Sequence, residues 1–188
     1  MVYECLPASL DVLIIEDVSS SIMKSDYQKM KDFILNIVKG LDISQKSNNV
    51  AFLSFAKAAK VSFYLNAHYN NTRILTAIES HHGEGGGSNI SSALKLSASD
   101  VFTDNNGDRA DADNIVLLFT DGMYKDKSSL QHDLEVLKAR AEVYVVTVGS
   151  IVSNTTLAEM ATSPEYLLKL GDPLTTNKIN SVLSPCKI

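Results

Sequence analysis

Four nearly unbroken aliphatic runs constrain this chain more than any other feature: "LDVLIIE" (10 to 16), "NNVAFLSFA" (48 to 56), "DNIVLLFTDG" (113 to 122) and "AEVYVVTVGS" (141 to 150). Each is short and rich in aliphatic and β-branched residues, as a strand covered on both faces must be. "AKVSFYL" (59 to 65) follows the second run so closely that the two predict an antiparallel hairpin. Residues 24 to 41 repeat Tyr27, Met30, Ile34, Ile37, Val38 and Leu41 at helical spacing, with Ser25-Asp26 as the expected cap. Further helices are expected over 71 to 81, 89 to 103, 128 to 140, 155 to 162 and 174 to 184, and an edge strand over 165 to 170. Alternating strands and helices imply an α/β fold: a mostly parallel six-stranded sheet with one antiparallel edge strand and helices on both faces.

Composition bounds the partners. The 188 residues fit one domain, and 45% hydrophobic with 21% charged residues is the balance of a soluble globular chain. A net charge of −5 argues against nucleic acid, which needs a basic face. No run approaches the roughly 18 apolar residues of a membrane span, so no membrane insertion is expected. "MVYECLPASL" lacks the basic and apolar regions of a signal peptide. The domain begins almost at once, so residues 1 to 188 are expected to be a single domain excised from a larger protein. Cys5 and Cys186 stand at the two ends. They are either unrelated thiols or a disulfide joining the termini, and their placement outside the first strand and the last helix favours the disulfide.

The first strand runs into "EDVSSSI", two acids and then three serines. In an open α/β sheet, ligands bind outside the carboxyl ends of the strands. Asp17 and Asp121 would both stand at that edge. Asp17, Ser19 and Ser21 come from one loop, Ser88 from the glycine-rich loop "HGEGGGSN" (82 to 89), and Asp121 from a third. Two carboxylates and three hydroxyls suit a hard cation, which takes about six oxygens including water. Side chains two apart share a side in extended chain, which favours Ser19 and Ser21 over Ser20. Gly85 to Gly87 would let the backbone approach closely.

These motifs resemble the von Willebrand factor type A domains, which include the integrin I domains. "DVSSS" fits the family's Asp-x-Ser-x-Ser pattern, "GGGSN" its Gly-Gly-Thr-Asn loop and "IVLLFTDG" its Thr-Asp-Gly strand, in the same order from Asp11 to about Leu183. The resemblance implies a doubly wound sheet and a metal ion-dependent adhesion site formed by Asp17, Ser19, Ser21, Ser88 and Asp121. It implies Mg²⁺, or Mn²⁺ or Ca²⁺, with one coordination position open to a partner's carboxylate. It also implies a last helix that slides when the site rearranges, a motion that a Cys5–Cys186 bond would restrain. Three positions depart from the pattern. Ser88 replaces Thr, Val18 stands where Gly is frequent, and Glu16 stands where Leu is usual. Glu16 is expected on a solvated or partly satisfied flank, because a buried carboxylate needs partners. The other reading makes it an outer charge that tightens the cation.

Weaker signals are discounted. "DNNGDRADAD" (104 to 113) lacks the spacing and final Glu of a calcium loop. His81-His82 is expected to be a surface pair. The glycine loop has no Lys for a P-loop. Asn70, Asn89 and Asn154 begin glycosylation sequons, and Asn89 is expected unmodified beside the ion. The leading function is therefore a non-enzymatic, extracellular, secreted adhesion module that binds a collagen-like or other acidic-group ligand on a matrix or cell-surface protein. The rivals are a Mg²⁺-dependent phosphotransferase, a structural matrix domain that assembles through another face, and an intracellular type A domain of a chelatase or vesicle coat. The three motifs, "DVSSS", "GGGSN" and "TDG", hold no His, Lys or Arg to serve the first of these as acid, base or phosphate clamp.

Overall fold

The aliphatic runs form the centre of one sheet. The structure, a computed structural model, describes residues 6–7, 9–83, 85–124, 129–149, 154–184 and 186–187. In chain order the elements are β1 (Leu6–Pro7), β2 (Leu10–Asp17), α1 (Lys24–Gly40), β3 (Asn49–Phe55), β4 (Ala59–Phe63), α2 (Asn71–Ser80), α3 (Ile90–Leu96), β5 (Asp113–Thr120), α4 (Leu130–Lys138), β6 (Glu142–Thr147), α5 (Asn154–Met160), β7 (Leu167–Lys169), α6 (Pro173–Leu183) and β8 (Cys186–Lys187). The main sheet runs β4-β3-β2-β5-β6-β7. Within this sheet only the β3–β4 pair is antiparallel. This is the expected six-stranded arrangement.

Alternation along β2 feeds two cores. Val12 and Ile14 pack with Met30, Ile34 and Val38 of α1, Ile78 of α2 and Ile179 of α6. Leu13 and Ile15 face the other layer, with Leu94 of α3, Leu134 of α4 and Leu157 of α5. Each fully buried aliphatic side chain contributes roughly 1.5–3 kcal/mol. A one-residue slip of β2 would exchange the faces of all of them. The same register therefore decides which way the acids at the strand end point: Glu16 toward the α1 layer, Asp17 away from it.

Several boundaries differ from the sequence reading. The cap of α1 is Met23, with no side-chain hydrogen bond, and Asp26 lies inside the first turn, where its carboxylate accepts from Lys29. The helix expected over 89 to 103 is α-helical only to Leu96 and widens to a π-turn over Ser97–Val101. Ser97 Oγ donates to Ala93 O at 2.7 Å, and Phe102 N–H reaches back to Ser97 O. Such side-chain competition for a carbonyl loosens the helical ladder. β5 stops at Thr120, so Asp121 lies one residue beyond the strand.

At the amino-end edge of the sheet, β1 pairs antiparallel with β8, Leu6 opposite Lys187 and Pro7 opposite Cys186. The two ends of the described chain thus lie side by side. The Cys5–Cys186 bond itself lies outside the described residues, which include only the backbone of Cys186. The same edge holds a buried ion pair. Asp11 is 0% exposed, and its carboxylate accepts from Arg109 N at 2.8 Å and Arg109 Nε at 2.9 Å. The Arg109 guanidinium also donates to Leu10 O and Ser47 O, fastening the polar 104–113 connection across the ends of β2 and β3.

Candidate metal centre

Three loops meet beyond the carboxyl ends of β2 and β5. These adjacent strands pair Glu16 with Phe119, so Asp17 and Asp121 leave the sheet side by side. Asp17 is 0% exposed. Its Oδ1 accepts from Ser19 N at 2.9 Å, and its Oδ2 accepts from Thr120 Oγ1 at 2.7 Å. Both donors are neutral. Burial pushes the Asp17 carboxyl up to about 6; the Ser19 and Thr120 hydrogen bonds pull it down, and the nearby Asp121 charge adds to the rise. Asp121 is also buried, and its Oδ1 accepts from Met123 N at 2.8 Å.

Ser19 Oγ and Ser21 Oγ lie 3.0 Å apart, within hydrogen-bonding distance. Residues 20–21 form a turn, and the turn brings the alternate hydroxyls together. Ser20, passed over as a ligand, ties the loops. Its N–H donates to Gly86 O at 3.0 Å, and its Oγ accepts from Gly86 N at 2.6 Å. Gly85 and Gly86 sit at φ 67° and 110°, which side-chain-bearing residues rarely adopt. A Cβ at Gly85 would stand 3.1 Å from Ser20 Oγ. These contacts seat the loop that carries Ser88 against the Asp17 loop. Ser88 Oγ is buried with no hydrogen-bond partner among the described residues.

The residues fit a hard divalent cation. Two buried carboxylates and three hydroxyls are carried by these three loops; among the described residues no cationic side chain is bonded to either carboxylate, and one hydroxyl lacks a hydrogen-bond partner. Among the described residues no cluster of three or more His, Cys, Asp or Glu side chains is present.

Two departures acquire physical reasons. Val18 packs where a Cβ on Gly83 would approach its own Cβ to 2.9 Å, so the bulk gained at position 18 is accommodated by glycine at 83. Glu16 overturns the expectation of a solvated flank. It is 1% exposed, neither carboxylate oxygen has a hydrogen-bond partner among the described residues, and His81 Nε2 lies 3.5 Å away. Burial drives its carboxyl up to about 7, against the pull of Lys31 and with the push of Asp17. His81 is only partly exposed: its ring meets Phe52 edge-on, with centroids 5.4 Å apart, while His82 is exposed. The alternation of β2 could have placed Glu16 inward, because Val12 and Ile14 share its parity. Thr120 could have been found in the same way, one residue before Asp121 on a strand adjacent to β2.

Comparison with known proteins gives the family. The chicken (Gallus gallus) relative Matrilin-1 is 27% identical over 85% of this chain and 33% of its own length. The mouse (Mus musculus) collagen alpha-6(VI) chain is 28% identical over 84% of this chain and 7% of its own. The chain thus spans a third or less of these relatives. Proximal thread matrix protein 1 from the mussel byssus, solved with a zinc-occupied MIDAS motif, superposes with a TM-score of 0.81 at 26% identity, over 94% of this chain and 46% of that one. The family model for the von Willebrand factor type A domain matches residues 11–181, and the chain belongs to that family.

Proposed function

We propose that this chain, a single domain over residues 1 to 188 of a longer protein, is an extracellular adhesion module that holds a divalent cation with Asp17, Ser19, Ser21, Ser88 and Asp121. The observation that carries the reading is Asp17: fully buried, beside a second carboxylate, and, among the described residues, hydrogen-bonded only to neutral donors. A bound cation would supply the missing positive charge and an open coordination position for a carboxylate of a matrix or cell-surface protein. The chain's own part is to hold the oxygens in place. Thr120 and Ser19 N–H orient the Asp17 carboxylate, Met123 N–H orients Asp121, and Ser20 keeps the Ser88 loop seated. Mg²⁺ is the ion we assign, since hydroxyls, carboxylates and retained water are its usual surroundings. The zinc in the mussel protein supports a divalent ion at the corresponding motif.

The extracellular assignment rests on relatives that include a collagen chain and a thread matrix protein. We also propose the Cys5–Cys186 disulfide, supported by the β1–β8 pairing, which sets Pro7 opposite Cys186. Thiol titration of the denatured, unreduced protein should find no free thiol. The same matrix relatives favour a second reading, a structural domain that assembles through another face. A pull-down from matrix extract separates the two. Binding lost in EDTA and in Asp17→Ala, and restored by Mg²⁺, supports the adhesion site; binding indifferent to both supports the structural domain.

A further inference from the structure

Two of the chain's asparagine sequons have described side chains, and their surroundings differ. Asn70-Asn71-Thr72 lies between β4 and α2. β4 runs antiparallel to β3, so this connection is at the amino-end edge of the sheet, away from the metal centre. Asn70 and Thr72 are both exposed. The side-chain oxygen of Asn70 caps α2 by accepting from Arg73 N at 3.2 Å. Its Nδ2 has no hydrogen-bond partner among the described residues. Asn71, which begins no sequon, uses its own Nδ2 to donate to Val38 O and Leu41 O, both at 2.9 Å. The anchoring work in this corner is thus done by Asn71, and Asn70 keeps its nitrogen available.

Asn89-Ile90-Ser91 has the opposite character. Asn89 is partly buried, its N–H donates to Ala56 O at 2.7 Å, and its side chain caps α3 through Ser92 N. Ile90 and the sequon hydroxyl of Ser91 are buried. The residue before it is Ser88.

We propose that Asn70 is an N-glycan acceptor and that Asn89 is not. In the transfer, Asn70 Nδ2 forms a bond to the anomeric carbon of an oligosaccharide carried on a lipid pyrophosphate. The carbon–oxygen bond to the pyrophosphate breaks, the lipid pyrophosphate leaves, and the amide gives up one proton; nothing is oxidised or reduced. The capping oxygen of Asn70 is untouched, so α2 keeps its N-terminal bond. β2 is eight residues long, so the sugar would sit on the order of 20 Å from the cation edge and leave it open to a partner. The inference rests on the extracellular reading, because only a secreted chain meets the donor.

The test secretes the whole chain from a eukaryotic cell line and treats it with peptide N-glycosidase, which converts a glycosylated Asn to Asp. Peptide mass spectrometry should find that conversion at position 70 and none at 89. Asn70→Gln should remove one glycan's mass. Thr72→Ala should do the same while keeping the Asn70 cap, so a folding defect in the first variant does not confuse the result. An unmodified Asn70 in efficiently secreted protein, or a modified Asn89, overturns the proposal. The pull-down in EDTA reads the adhesion function separately, so either idea can fail alone.

Discussion

β2 carries one buried aspartate near its start and another at its end, and the two are stabilised in different ways. Asp11 and Asp17 are both 0% exposed and sit on the same face of the strand, six residues apart. Asp11 meets a guanidinium: Arg109 Nη2 lies 2.7 Å from its Oδ1, beside bonds from Arg109 Nε and N. Asp17 meets a hydroxyl and a backbone amide, with Asp121 close enough to raise its affinity for a proton. Taking a carboxylate out of water costs several kcal/mol unless an opposite charge offsets it. At the amino-end edge the chain supplies that charge itself. At the carboxyl-end edge no described side chain is seen to supply it, and the proposed cation would take that place.

The largest expected effect breaks the self-sufficient end. Arg109→Ala leaves Asp11 buried without its cation and removes donors from Leu10 O and Ser47 O. Burial already holds the Asp11 carboxyl above its usual range even with Arg109 opposing it. The variant should lose about 3–5 kcal/mol in urea unfolding, as removal of one partner from a buried pair does. Addition of Mg²⁺ should recover none of this. A loss within about 1 kcal/mol would mean that Asp11 is as tolerant as Asp17, and the contrast would collapse.

The next effect comes from Glu16, which has neither arrangement. Its folded carboxyl holds a proton to about pH 7, against 4.5 for the free group. Between those values the folded state binds more protons than the unfolded state, so stability falls as pH rises through the window. The fall is roughly 3 kcal/mol at most, from the separation of the two values. In chelator, the wild type should be more stable at pH 5 than at pH 8. Glu16→Gln should flatten much of that slope, leaving a smaller part from Asp17. A wild-type stability that rises over this range would contradict a buried carboxyl without a hydrogen-bond donor.

These carboxylates also show what the sequence makes legible. The aliphatic runs identify four of the six sheet strands, because a strand buried on both faces has few other ways to be written; β4 and β7 follow from the hairpin spacing and the expected edge strand over 165 to 170. The three loop motifs name the candidate ligands, since hydroxyls and acids at strand ends are conspicuous. Arg109 was not legible. Its partner is 98 positions away, and it sits in an acidic connection whose spacing suggested only a failed calcium loop. Its one signal is being the sole basic residue between Asp104 and Asp113. β1 and β8 are two residues each, too short for any periodicity to register. Ser20 was set aside by a rule about side chains in extended chain, yet a turn gives its hydroxyl a tethering role. Glu16 was misjudged because a polar residue at a strand end reads as solvated, and only the packing of His81 and α1 beneath it shows otherwise.

Cation-dependent melting tests the central contrast most directly. Protein stripped with EDTA and returned to Mg²⁺ at about 100 times its Kd should gain about 2.7 kcal/mol by mass action, read as a rise in Tm. Ser88→Ala should shift the Mg²⁺ concentration required upward and keep the rise, because water can replace one neutral ligand. Asp17→Ala should lose the rise entirely. Its apo stability should stay within about 1 kcal/mol of wild type, since the substitution removes a buried charge that repels Asp121. A wild-type Tm that ignores Mg²⁺, Mn²⁺ and Ca²⁺ alike, or an Asp17→Ala protein that responds as the wild type does, would contradict the account.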